Sequence, residues 1–133
     1  MTGLAAINQS LLHQLEEIPD LRSFSYVPDT VSPPAAVIQP PRVRNNPADA
    51  LIRRGDEVTM WRTRIPITLV LGRVSERDYA EQYDRYLEQL QRVLPKAKEP
   101  ICHIHVAQLA ELRQISVGGA DYIAADVTVE VWA

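Results

Sequence analysis

Leu4, Ile7, Leu11, Leu15 and Ile18 recur at spacings of three and four, which is one apolar stripe along a helix. Gln9, Gln14, Glu16 and Glu17 fall mostly on the other side, and Pro19 stops the pattern, so a helix is predicted over 3–18. The period then changes. SFSYV (23–27) and AAVIQ (35–39) are short runs of strand type, set between prolines at 28, 33, 34, 40 and 41. A disordered linker is poor in aromatic and β-branched residues, whereas this stretch holds Phe24, Tyr26, Val27, Val31, Val37 and Ile38. It reads as two short strands delimited by proline turns inside one domain, because prolines sit at strand ends or edges.

The clearest strand runs from Thr59 to Leu71. Its odd positions read Thr, Trp, Thr, Ile, Ile, Leu, Leu, and its even positions 60–70 read Met, Arg, Arg, Pro, Thr, Val. The odd face is the one to bury, with Arg62 and Arg64 pointing away from it. Pro66 calls for a bulge or a place near an edge. The first half of so long a strand is expected to extend beyond the core as a hairpin arm. Before it, RVRNNPADALIRRGDE (42–57) is polar and rich in turn signals, and reads as a long mobile loop that joins this arm, over about 42–58.

Ser75 can cap a second helix over 76–94, with Tyr79, Tyr83, Tyr86/Leu87, Leu90 and Leu94 as its stripe and Pro95 at its end. ICHIHVA (101–107) reads as a strand. Leu112–Val117 and Asp121–Trp132 flank Gly118-Gly119, a hairpin signal. In the last strand Ile123, Ala125, Val127, Val129 and Val131 form one face, and Tyr122, Asp126, Thr128, Glu130 and Trp132 the other. The order α, β, β, β, α, β, β, β predicts a single α+β domain over 1–133. It is a small two-layer unit with an antiparallel or mixed sheet of about five to six strands and two helices packed on one face.

At 133 residues, with 46% hydrophobic and 23% charged positions, the chain can bury a sizeable core without a disulfide or metal. Its net charge of −3 argues against a protein that coats nucleic acid. The single cysteine, Cys102, excludes an intramolecular disulfide, and no apolar run reaches the ~20 residues of a membrane span. The N-terminal residues have no signal-peptide pattern, so a soluble protein is expected.

Candidate chemistry is sparse. His103 and His105 share a strand face, but Cys102 points to the other and no further ligand has zinc spacing. The plainer reading is a surface histidine pair beside a small buried cysteine, with no metal or cofactor. Thr30, Ser32 and Ser75 have no recognisable activating base. GRVSER (72–77) lacks the lysine of a phosphate loop. No enzyme is expected. Arg53 and Arg54 with Trp61, Arg62 and Arg64 form a basic cluster with one aromatic. It either meets nucleic acid or an acidic protein face, or is a solvated loop and strand surface. On helix 2, Tyr79 and Tyr83 read as core, and Tyr86, nearer the edge of the stripe, as the interface candidate.

Several pieces in this order resemble the tail terminator proteins of long-tailed bacteriophages. They are the short first helix, YVPDTVSPPAAVIQPP (26–41), RTRIPITLVLGRVSERDYAEQYDRYL (62–87) and VGGADYIAADVTVEVW (117–132), which together span nearly the whole chain. The resemblance implies a structural virion protein at the tail–neck junction, made in the bacterial host cytoplasm. It implies a homo-oligomeric, hexameric ring that caps the head-proximal end of the tail tube, ends its polymerisation and offers a surface for head–tail joining. The partners it implies are other copies of the chain, the tail tube protein and the head-completion protein, with DNA only passing through the lumen. A lumen that lets DNA pass should not grip it, so the arm arginines are expected to meet protein. The proline-bounded strands are expected to resist extension from their edges, as the end of a polymer requires. The alternatives are a head–tail connector or stopper of the neck, and a small binding module outside any phage.

Overall fold

The computed structural model describes residues 4–39, 51–54, 57–73, 79–99 and 101–133; of residues 4, 51–54 and 57–62 it describes the backbone alone. Helix α1 spans Leu4–Leu15. It ends three residues earlier than predicted, but a tight turn, Ile18 N–H to the Leu15 carbonyl at 3.1 Å, keeps Ile18 on the buried stripe. Asp20, at a φ of +63°, then turns the chain into the sheet. Gln14, expected on the polar side, is buried. It sits three residues from Leu11 and seven from Ile7, on the stripe itself, and its amide donates to Glu17 Oε2 at 2.9 Å.

The sheet holds six strands: β1 (Arg22–Phe24), β2 (Ala35–Ile38), β4 (Glu57–Arg73), β5 (His103–Leu109), β6 (Arg113–Val117) and β7 (Ala120–Trp132). A seventh, β3 (Leu51–Arg54), pairs with the first part of β4. The sheet is mixed: β1 and β2 are parallel, and the other pairs are antiparallel. β4 and β7 form its centre, paired from Arg62↔Trp132 to Arg73↔Tyr122. Each of these long strands carries two short ones along its outer side. β5 and then β6 lie end to end on β7, joined across the break by the Ala110 N–H to the Asp126 carbonyl at 3.0 Å. β2 and β3 flank β4 in the same manner.

That arrangement explains Pro66. It lies inside β4, between the stretch paired with β2 and the stretch paired with β3. Its carbonyl accepts the Gln39 N–H at 2.9 Å, on the side away from β7. Within one residue N and C=O point the same way, so the missing N–H costs no bond to β7. Among the described residues Pro66 thus lies where the pairing with β2 ends, and the bulge in β4 falls instead at Val70–Gly72.

Helix α2 spans Tyr79–Val93 and runs into a single 3₁₀ turn, Leu94–Lys96; the predicted cap at Ser75 lies outside the described residues. Both helices pack on one face. There Leu11, Leu15, Tyr83, Tyr86, Leu90 and Leu94 meet the odd positions of β4 and β7, from Ile65 to Leu71 and from Ala125 to Val131. Truncating one such buried leucine to alanine typically costs about 2–5 kcal/mol. A second, smaller core lies on the other face. Val31 from the loop 25–34 packs there with Ala35, Val70, Tyr122 and Ala124. Tyr122 Oη donates to the Val31 carbonyl at 3.1 Å and fixes that loop. The two proline-bounded strands therefore belong to the fold, although β1 stops at Phe24 and leaves Tyr26 and Val27 exposed.

Candidate interaction face and arm

The loop 25–34 covers only one end of the face opposite the helices. At the other end, even positions of β7 and β4 and the alternate residues of β5 lie in register. One row places Arg62, Trp132 and His103 on adjacent strands; the next places Arg64, Glu130 and His105. Ile104 points to the helix-side core, so His103 and His105 face away from it.

Glu130 organises this end. Its Oε1 accepts from Trp132 Nε1 at 3.1 Å and its Oε2 from Arg64 Nε at 3.4 Å. Burial pulls its pKa upward, but the bonds from Trp132 and Arg64 and the charge of His105 outweigh this and hold the carboxyl below its ordinary value. His103 Nε2 and His105 Nδ1 lie 3.1 Å apart, and the His103 ring meets the Trp132 ring edge-on at 6.4 Å. Further along the face Asp126 accepts from Thr68 Oγ1 at 2.7 Å and from Arg113 Nη2 at 3.2 Å, while Gln39 donates to Thr68 at 3.2 Å. The face thus combines an aromatic ring, histidines and an arginine, a composition suited to a contact surface.

The arm adjoins it. β3 pairs with residues 57–61 of β4 (Leu51↔Trp61 to Arg54↔Glu57), and those five residues lie beyond the last β7 partner of β4. At ~3.3 Å per residue this two-stranded ribbon reaches about 16 Å past the six-stranded ladder. Of the expected arm, the backbone of 51–54 and 57–61 is described, and it forms this two-stranded ribbon. Part of the segment expected as loop, residues 51–54, is strand; residues 40–50, 55 and 56 lie outside the described residues.

The sequence-predicted contact residues separate on this framework. Arg53, Arg54 and Trp61 belong to the arm and Arg62 to its root; their side chains lie outside the described residues. Arg64 is half exposed on the face, in contact with Glu130. Tyr86 does not join them. It is 2% exposed and packs in the helix-side core, with the Arg85 guanidinium 5.2 Å above its ring. The spacing 79, 83, 86, 90 returns to one helix face every two turns, which places residue 86 at the centre of the stripe. Cys102, expected to be buried, is exposed. Sequence reasoning put Glu130 and Trp132 on an outward face and His103 with His105 on another, and missed that β5–β7 pairing unites them.

Among the described residues no group of three or more His, Cys, Asp and Glu side chains is placed to hold a metal ion. No helix there is long and apolar enough to cross a membrane. No model of a known protein family matches the chain, and no curated protein is similar to it.

Proposed function

We propose that the chain is a structural subunit of a long-tailed phage, a tail terminator that assembles into a ring on the head-proximal end of the tail tube. The observation that carries this reading is the arm. A domain already closed by its two helices and six strands extends a ribbon beyond its ladder, directly beside an outward face bearing Trp132, Arg64 and two histidines. An element that adds no strand to the central sheet is suited to reach a neighbour. The two sides of the sheet also differ, with three-residue β1 at one edge and the long β5–β6 line at the other. Unlike edges suit head-to-tail contacts that close into a ring. The particular assembly is the one implied by the resemblance, drawn from the sequence of residues 26–41, 62–87 and 117–132, to the terminator family.

In this role one face of the ring matches the last tube layer, the other meets the head-completion protein, and the arm reaches the tube or the next subunit. Native mass spectrometry with negative-stain microscopy tests the ring, and addition of purified tail tubes tests the capping. Six-fold rings seated at one tube end are the expected result. Rings that form but ignore tubes would move the protein to the neck, and a monomer that neither closes nor caps would overturn the reading. Deletion of residues 45–55 should spare the fold and abolish capping; intact capping by that variant would remove the arm from the mechanism.

A further inference from the structure

We infer that His103 and His105 form a bidentate imidazole site for a borderline divalent cation of the zinc, nickel or copper type. The inference is independent of the ring. In a strand, residues two apart project to the same face, and both rings are exposed there. The ring nitrogens that approach, His103 Nε2 and His105 Nδ1, are 3.1 Å apart, with the ring planes inclined by 48°. With metal–nitrogen bonds of ~2.0–2.1 Å that separation corresponds to a bite angle of about 95–100°. Tetrahedral and square arrangements both accept such an angle, and imidazole suits these cations.

Two neutral imidazoles that touch share one proton between the facing nitrogens. Binding requires only that His103 hold its proton on Nδ1 and His105 on Nε2, which frees both facing nitrogens as donors. Rotation of each exposed ring by about 40° from a facing arrangement then aims both lone pairs at one point. Trp132 limits the swing of the His103 ring from one side, at 6.4 Å between centroids. Glu130, directly across from His105 in the β7 register, places an anion beside the site. It acts as a charge neighbour, since its oxygens are engaged by Trp132 and Arg64. Solvent completes the coordination, which makes the site weaker than a closed structural zinc centre and readily exchanged.

The test is titration of the purified full chain with Zn²⁺ and, separately, Ni²⁺, followed calorimetrically and by the histidine imidazole resonances in NMR. Saturable one-to-one binding is expected, with shifts confined to His103 and His105. His103→Ala and His105→Ala should each weaken it at least about tenfold, the low end of what even an outer-shell change costs. Cys102→Ser and His13→Ala should leave it unchanged. Both histidines are exposed, so circular dichroism should show the alanine variants folded. Failure to saturate at millimolar cation, or binding that survives loss of both histidines, would overturn the site.

Discussion

A methyl group added at Gly118 would run into the backbone carbonyl of Asp29, at a φ of +59° that side chains resist. The neighbouring Gly119 has a φ of +80° but open space around it. The two glycines of one hairpin therefore differ in what a side chain costs. Gly118→Ala combines backbone strain with displacement of the 25–34 loop and should cost about 1–3 kcal/mol or more; Gly119→Ala carries the strain alone and should cost less. Urea unfolding of both variants checks the order, and equal losses would show that the loop yields freely. Tyr83 gives a pH test. Burial, then Asp126 and Asp84, raise its pKa above the ordinary 10.0, and its hydroxyl donates to the Ala110 carbonyl at 3.1 Å. Above that value the unfolded chain has lost the proton and the folded chain still holds it, so stability falls as pH rises and is fully present below it. Tyr83→Phe should lose about 1 kcal/mol at neutral pH with the hydrogen bond, yet show a flatter decline under alkali. Thermal melts between pH 8 and 11 compare the slopes. At this scale the sequence was a partial guide. Helical spacing identified Leu11 and Tyr83 as buried, but Gln14 lies on the stripe despite its amide, and Tyr86 at its centre rather than near its edge. Polarity misled at Gln14, where an apolar stem could be buried and Glu17 was at hand for the amide; at Tyr86 it was the position around the helix that misled.

Elements were legible where they were long and periodic. β4 and β7 alternate over more than ten residues, and α1 and α2 repeat their stripes over several turns, so their faces could be assigned before their partners were known. β3 was not legible: LIRR (51–54) is four residues with two arginines inside a turn-rich stretch, and its strand character comes from pairing with β4. Pairing order is a long-range property. Nothing local announces that β5 and β6 share one side of β7, and the grouping of His103, His105, Glu130, Trp132 and Arg64 follows from that sharing. The same pairing predicts how the arm behaves. Residues 57–61 pair only with β3 among the described strands, so deletion of residues 45–55 should leave the six-stranded ladder in place. The urea unfolding free energy should change by less than about 1 kcal/mol, as for changes remote from the core. A larger loss, or loss of the β signal in circular dichroism, would make the arm part of the folding unit.

At the scale of the whole molecule, the two sheet edges are guarded differently. β1 is three residues long, and prolines at 19 and 28 flank it closely. The opposite edge, residues 103–117, holds neither proline nor lysine, the residues that most often blunt an edge. Leu109 is 52% and Leu112 39% exposed there, at the break between β5 and β6, while Tyr26 and Val27 are exposed just beyond β1. Exposed apolar side chains at both unlike edges are what a head-to-tail ring needs, because each copy must present one surface and receive the other. If the chain closes into a ring, the Leu109→Ser/Leu112→Ser variant should shift rings to monomers in native mass spectrometry at the concentration where the wild type assembles. Its melting temperature as a monomer should stay within a few degrees, since exposed side chains contribute within about ±0.5 kcal/mol. Rings that persist in this variant would remove the β5–β6 edge from the subunit contact and leave the arm, with the face beside it, to hold the neighbours together.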